Sequence, residues 1–168
     1  MTDRKKILVA AGPGGLYRVL KALAGKYDLK YASTLREAQE LLRESETGNG
    51  STFSMIIGGI FFDESRMFEL LQYIRTVDHY DKLPFMAIQA VPSDLGGVSP
   101  PPVLSDSTRA SAEMLGACAF LELQHLPEEE ANKLLLETVE RSFYKTVENE
   151  RIDQGGSERK DPDSVPLD

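Results

Sequence analysis

The stretch of the chain that most constrains its fold is residues 53–75, FSMIIGGIFFDESRMFELLQYIR. A short apolar run ends at Gly58 and Gly59, and a loop that carries Asp63 and Glu64 follows. Apolar residues then recur at spacings of three and four, which is typical of one face of a helix. These residues are Met67, Leu70, Leu71 and Ile74. An apolar strand that leads so quickly into a helix predicts a parallel sheet covered on both faces.

The rest of the chain repeats this alternation of strand and helix. Buried strands are predicted at 5–11, 29–32, 53–60, 85–90 and 119–123. The first helix is predicted at about 16–24, and the second begins at a cap at Ser33 or Thr34. The third helix ends at about 77, the fourth spans about 107–115, and the fifth runs from 128 to about 150. Five strands alternating with five helices predict a doubly wound, flavodoxin-like parallel sheet in the order 2-1-3-4-5.

Length and charge limit the classes of function. The 168 residues suffice for one domain, predicted at 1–150, and the acidic tail at 151–168 is expected to be disordered. A net charge of -8 argues against binding to nucleic acid or to anionic lipid, since both require a basic face. No apolar run approaches the ~20 residues that span a bilayer, and Cys118 is the only cysteine. A cytoplasmic location is therefore expected.

Two segments depart from a minimal α/β domain. Residues 91–106, VPSDLGGVSPPPVLSD, form a predicted long loop that includes Pro100, Pro101 and Pro102. This loop is either an extended arm that docks a partner or a tolerated surface insertion. The last helix is longer than its packing requires, with Phe143 among its apolar residues. It offers a dimer face or a link to another module, or else it is a frayed, half-covered helix.

Three stretches together resemble the receiver (CheY-like) domain of bacterial response regulators. Residues 53–75 align without a gap on the family pattern of strand, phospho-acceptor, loop and helix. Residues 84–90 resemble its fourth strand, and residues 116–121, GACAFL, resemble the glycine-alanine motif before its fifth strand. The resemblance covers about residues 5–145 and implies the CheY-like fold and a role in two-component signalling.

The residues that carry the family's phosphotransfer chemistry are absent from the matching positions. The phospho-acceptor aspartate corresponds to Gly59, and the acidic pair that holds Mg²⁺ corresponds to Ala11 and Gly12. The hydroxyl that reads the phosphate corresponds to Gln89, and the lysine that pairs with it corresponds to Leu123. Aspartyl phosphorylation requires a nucleophile and carboxylates that hold a hard cation. The resemblance therefore implies a pseudo-receiver.

Other residues suggest sites more weakly. Gly12, Gly14 and Gly15 form a turn that could cradle an anion at a helix N-terminus, but Tyr17 replaces the third glycine of a dinucleotide fingerprint, so a simple turn is favoured. Asp63 and Glu64 make too small a group for Mg²⁺, and a solvated loop is the preferred interpretation.

Zinc and cofactor sites are not predicted. His79, His125 and Cys118 are too few and too scattered for zinc, and Cys118 is interpreted as a buried, inert thiol. No cofactor is expected.

The leading hypothesis is therefore a non-enzymatic, phosphorylation-independent signalling module. It would bind a protein partner, or a second copy of itself, through the face formed by the fourth helix, fifth strand and fifth helix, near the proline-rich loop, Phe120 and Phe143. The family's switch aromatic corresponds to Phe120, which is interpreted as packing. The alternative is a sensor that binds a small anion or nucleotide at the glycine-rich turn. A third hypothesis, an enzyme of another class, would need convergent polar groups near Gly59.

Overall fold

The structure is a computed structural model that describes residues 4–47, 52–90 and 102–156, without the side chains of 102–105 and 146–156. Strands and helices alternate along these residues. In chain order they are β1 (Lys6–Ala10), α1 (Pro13–Leu23), β2 (Asp28–Ala32), α2 (Leu35–Glu46), β3 (Met55–Gly59), α3 (Met67–Thr76), β4 (Phe85–Gln89), α4 (Pro102–Met114), β5 (Ala119–Glu122) and α5 (Glu128–Gly156). The predicted alternation is confirmed.

The five strands form one parallel sheet in the order β2-β1-β3-β4-β5, which confirms the predicted doubly wound topology. Because every strand runs in the same direction, all carboxyl ends meet at one edge and all amino ends meet at the opposite one. We call these the carboxyl edge and the amino edge.

Side chains alternate between the two faces of the sheet and build one apolar core on each. On one face, Leu8 and Ile56 pack with residues of α2, α3 and α4. On the other face, Ile7 and Ile57 pack with residues of α1 and α5. All four side chains are fully buried, so the sheet is covered on both sides as the apolar strands predicted.

Three element ends differ from the prediction by three residues or more. α1 begins at Pro13 rather than near residue 16, because proline suits the first position of a helix. α4 begins at Pro102, so residues 102–106 of the predicted loop are helical. α5 continues to Gly156, so residues 151–156 extend the helix rather than begin the tail. The other parts of the predicted loop and tail, 91–101 and 157–168, lie outside the described residues.

Candidate functional site

A cavity of about 270 Å³ opens at the carboxyl edge, where the ends of β1, β3 and β4 meet the start of α1. Its walls are mostly backbone and apolar side chains. They include Gly14, Gly59, Ile60, Phe61, Ile88 and Ala90. Among the described residues that line it, Glu64 supplies the one carboxylate, and no lysine, arginine or histidine is present.

Gly59 lies at the end of β3 and is in register with Ile88 of β4. A Cβ atom built at residue 59 would lie 3.2 Å from the Cβ of Ala11, which is tighter than ordinary side-chain contact. Ala11 itself is fully buried just after β1. The two backbones therefore approach closely at the position where the resemblance places a phospho-acceptor, and any side chain there would displace Ala11 slightly.

The neighbouring Gly58 is a glycine for a different reason. A Cβ atom at this position would collide with the ring of Phe85, which is fully buried in the core. Gly58 therefore serves packing beneath the sheet, whereas Gly59 shapes the cavity.

The glycine-rich turn is part of α1 rather than a free loop. Gly12 is the N-cap residue without a side-chain cap, and Gly14 and Gly15 lie in the first helical turn. Gly12, Gly14 and Gly15 all line the cavity, so the predicted anion-binding residues do come together. The helix dipole favours an anion there, but the Glu64 carboxylate opposes one.

Gln89 and Leu123 do not line this cavity. Gln89 is the last residue of β4 and is 1% exposed, and its carbonyl accepts a hydrogen bond from the Leu123 amide at 2.8 Å. The Leu123 side chain is fully buried in the core between the sheet and α1 and α5. Neither side chain offers a cavity-facing charge.

Asp63 has a structural role that the sequence did not reveal. Its carboxylate accepts a hydrogen bond from the Leu35 amide at 2.8 Å, at the first residue of α2. Thr34 caps the same helix by accepting from the Glu37 amide at 3.1 Å. The solvated-loop interpretation of Asp63 is therefore wrong, since this carboxylate stabilises the amino end of α2.

The loop around Asp63 is held in an unusual backbone conformation. Asp63, Glu64 and Ser65 all have positive φ angles of 44°, 56° and 68°. Such conformations cost of the order of 1 kcal/mol each in non-glycine residues. This backbone carries Glu64 and Ser65 to the cavity wall.

The described residues do not fit a metal centre of the receiver type. No group of three histidine, cysteine, aspartate or glutamate residues among them could hold a metal ion. Cys118 is exposed, so its interpretation as a buried thiol is corrected. It precedes β5 at the amino edge, where the sheet ends and solvent begins.

The aromatic residues expected near a contact surface are both buried. Phe120 is 5% exposed and lies beneath the Arg109 guanidinium, 5.2 Å from its ring centroid. Phe143 is 8% exposed and packs against Tyr27, with ring centroids 5.6 Å apart. Packing is thereby confirmed for Phe120, and the prediction of exposed apolar surface at Phe143 is wrong.

The prolines of the expected contact surface are only partly covered by the structure. Pro102 is the first residue of α4, with its side chain outside the description, and Pro100 and Pro101 lie outside the described residues.

The amino edge holds a second cavity that the sequence analysis missed. Its charged side chains come from α3, from the loop before β4 and from α5. Only the contribution of α5 had a sequence signal, because Arg141 and Lys145 are four residues apart on one helix face.

Comparison with known proteins identifies the fold. No family profile and no curated protein sequence matches this chain. Solved structures do match. One is the phosphorylated cyanobacterial phytochrome response regulator RcpA, with a TM-score of 0.62 at 14% identity, covering 80% of this chain and 91% of that chain.

Two further structures give the same result. The CheY-like receiver domain protein of Methanospirillum hungatei has a TM-score of 0.59 at 15% identity, covering 87% of this chain and 98% of that chain. The Vibrio cholerae chemotaxis protein CheY4 has a TM-score of 0.55 at 21% identity, covering 82% of this chain and 98% of that chain. The chain therefore has the fold of response-regulator receiver domains.

Among the helices that the structure describes, none combines the length and the apolar character that crossing a bilayer requires.

Proposed function

We propose that this chain is a receiver-type signalling module that works without aspartyl phosphorylation, through contacts with a partner protein or a second copy of itself. The observation that carries the proposal is the composition of the carboxyl edge. By the resemblance, Gly59, Ala11 and Gly12 correspond to the acceptor and to the acidic pair, and none of them has an oxygen in its side chain.

The chemistry of phosphoryl transfer explains why this composition matters. An aspartyl phosphate forms on a carboxylate nucleophile, and Mg²⁺ held by carboxylates neutralises the charge of the transferring group. Glu64 alone among the described cavity residues carries a carboxylate, and it lies in the loop after β3 rather than at the end of the strand. Signalling through this fold would therefore depend on a surface rather than on a phosphorylated pocket.

The surface we propose is the face formed by α4, β5 and α5. β5 is an edge strand, and an ion pair of 3.2 Å between Arg109 and Glu122 joins α4 to it. Two large apolar side chains are exposed on the flanking helices, Met114 at 87% and Tyr144 at 65%. Exposed aromatic and methionine side chains are enriched in protein interfaces.

Phosphorylation independence is tested with acetyl phosphate and Mg²⁺, followed by intact-mass spectrometry. We expect no gain of a phosphoryl group under conditions that modify a phosphorylatable receiver treated in parallel. A stoichiometric, hydroxylamine-sensitive phosphoryl adduct would contradict the proposal, because hydroxylamine sensitivity identifies an acyl phosphate.

The interface is tested with a double variant, Met114→Glu with Tyr144→Glu, compared with the wild type. The control is Tyr31→Glu, which places one such carboxylate on β2 at the opposite end of the sheet, where Tyr31 is 41% exposed. We expect the double variant to weaken self-association or partner binding by about tenfold or more. Large side chains that become buried in an interface contribute about 1–2 kcal/mol each to binding. Equal loss in the control would contradict the proposed face.

The alternative of a small-anion or nucleotide sensor at the glycine-rich turn gains no support from the geometry. The described cavity residues include no cation, and their one ionisable side chain is the Glu64 carboxylate. A phosphate there would have only backbone amides to compensate its charge.

A further inference from the structure

The cavity at the amino edge has a volume of about 360 Å³ and lies at the opposite edge of the sheet from the cavity that contains Gly59. It is bounded by α5, by residues 82–84 before β4, and by the turn at 116–118 before β5. This volume falls in the range of about 300–1,000 Å³ typical of small-molecule sites. The cavity is therefore large enough for a compact ligand and too small for a folded partner.

The charge of this cavity is opposite to that of the protein. Four cationic side chains line it, Arg75, Lys82, Arg141 and Lys145, and no aspartate or glutamate is among its described lining residues. The whole chain carries a net charge of -8. None of these four cations is in an ion pair with another described residue; the ion pairs present use other cations. The cavity thus concentrates uncompensated positive charge.

Arg75 is fixed in place by backbone carbonyls rather than by a carboxylate. Its guanidinium donates to the carbonyls of Asp81 at 3.0 Å, Leu83 at 2.9 Å and Gly116 at 2.8 Å. Burial lowers the pKa of Arg75, and the nearby Cys118 and Asp81 partly offset this shift. Carbonyl dipoles satisfy its hydrogen bonds but leave its formal charge unneutralised, so the wall of the cavity stays cationic.

α5 presents its polar residues to the cavity in a single row. Thr138, Arg141, Ser142 and Lys145 follow the helical spacing of three, four and seven residues. The hydroxyls of Thr138 and Ser142 donate to carbonyls of their own helix, at 2.7 Å and 2.8 Å. They therefore lie close to the helix and leave Arg141 and Lys145 as the groups that extend over the opening.

From this arrangement we propose that the amino-edge cavity binds a compact anion with two or more negative charges, of the phosphate or polycarboxylate class. Arg141, Lys145 and Lys82 would contact the anion directly, and Arg75 would contribute charge from the wall. Lysine and arginine side chains bind such anions through charge-assisted hydrogen bonds. The site shares α5 with the proposed signalling surface, but the proposal depends neither on that surface nor on phosphorylation at the carboxyl edge.

Cys118 provides a direct reporter of occupancy. It is the only cysteine in the chain, it is exposed, and its sulfur lies 3.8 Å from the Ser142 hydroxyl on the cavity wall. The experiment measures the rate of Cys118 alkylation by the neutral reagent iodoacetamide during titration with pyrophosphate or citrate. Sodium chloride at matched ionic strength is the reference. We expect either anion to slow alkylation saturably, by about threefold or more.

Charge variants separate a specific site from general screening. In Arg141→Gln with Lys145→Gln we expect the apparent affinity to fall by about fivefold or more, because two charged contacts with the anion are removed. Lys133→Gln is the matched control, because Lys133 is exposed on the same helix but does not line the cavity. Protection by pyrophosphate alone would assign a phosphate ligand, and protection by citrate alone a carboxylate ligand.

Two results would overturn the proposal. One is an alkylation rate that follows ionic strength alone, with neither anion exceeding sodium chloride. The other is protection that survives unchanged in the Arg141→Gln, Lys145→Gln variant, because the anion would then bind elsewhere.

Discussion

The two edges of the sheet differ in what their side chains can do. At the carboxyl edge, glycine and alanine backbones meet around an apolar cavity whose described lining residues include one carboxylate, Glu64. At the amino edge, four cations surround a cavity without a carboxylate among the described residues. Parallel α/β sheets usually place their sites at the carboxyl edge. Here the four cationic side chains lie at the opposite edge, which shows that the sequence and not the fold determines which edge carries charged groups.

The edges also differ in how they are held together. At the carboxyl edge, the backbones of Gly59 and Ala11 approach each other closely. At the amino edge, the side chains of Arg75 and Tyr80 reach across loops to distant carbonyls. The amino edge should therefore be the more sensitive of the two to single side-chain truncations.

The largest effect is expected from Arg75→Met. This substitution removes hydrogen bonds to the carbonyls of Asp81, Leu83 and Gly116. The bonds to Leu83 and Gly116 join the loop before β4 to the turn before β5. We expect a loss of about 2–4 kcal/mol in the free energy of unfolding, since bonds from charged donors contribute about 1.5–3 kcal/mol each and part is recovered by water. Urea denaturation measures it.

The control for that prediction is Arg36→Met. Arg36 is 87% exposed at its side chain and pairs only with Glu40 on the same helix. Its loss should stay below about 0.5 kcal/mol. Equal losses in the two variants would mean that Arg75 does not brace the amino edge.

An intermediate effect is expected from Asp63→Ala at the carboxyl edge. The substitution removes the carboxylate that accepts from the Leu35 amide. Loss of a helix cap costs about 0.5–2 kcal/mol, and thermal unfolding should record a destabilisation of this size. Glu64→Ala, at an exposed neighbour with a similar backbone angle, should change stability less. A larger loss of stability in Glu64→Ala than in Asp63→Ala would mean that Glu64, and not Asp63, stabilises this part of the fold.

The smallest effect at neutral pH is expected from Tyr80→Phe. The Tyr80 hydroxyl donates to the Leu42 carbonyl at 2.6 Å, but Ser45 donates to the same carbonyl at 2.7 Å, so this acceptor keeps a partner. We expect a loss of about 0.5–1 kcal/mol.

The pH dependence of Tyr80→Phe sharpens that prediction. Burial, reinforced by Glu46, raises the pKa of Tyr80 above its ordinary value of 10.0. The folded state therefore holds its proton where the unfolded chain loses it, and the stabilisation present below pH ~10 declines as pH rises further. Urea denaturation across this range should show a steeper decline in the wild type than in the variant. Parallel curves would remove Tyr80 as the titrating group.

The order of elements could be predicted from periodicity alone, because each strand and helix carries its own apolar pattern. Their ends could not. Pro13 and Pro102 both begin helices, whereas the sequence suggested that Gly12 to Gly15 and residues 91–106 were loops. A proline is compatible with both a loop and a first helical turn, and only packing against the sheet decides between them.

Residues that end or follow a strand could be found from the sequence, whereas contacts between distant segments could not. Gly59 and Ala11 were found because each directly ends or follows an apolar strand. Asp63 and Leu35 are 28 residues apart, and Arg75 and Gly116 are 41 apart, so no local pattern links them. Interactions between distant segments depend on the tertiary fold, and a single sequence does not reveal them.

The most direct test of the account is an amide-shift NMR titration with Mg²⁺ and then beryllofluoride, which mimics an aspartyl phosphate. We expect no saturable shifts at Ala11, Gly12, Gly59 or Gln89, since these residues provide neither the nucleophile nor the ligands. Saturable shifts clustered at these residues would show that another acidic group has replaced the missing aspartate. That result would contradict phosphorylation independence.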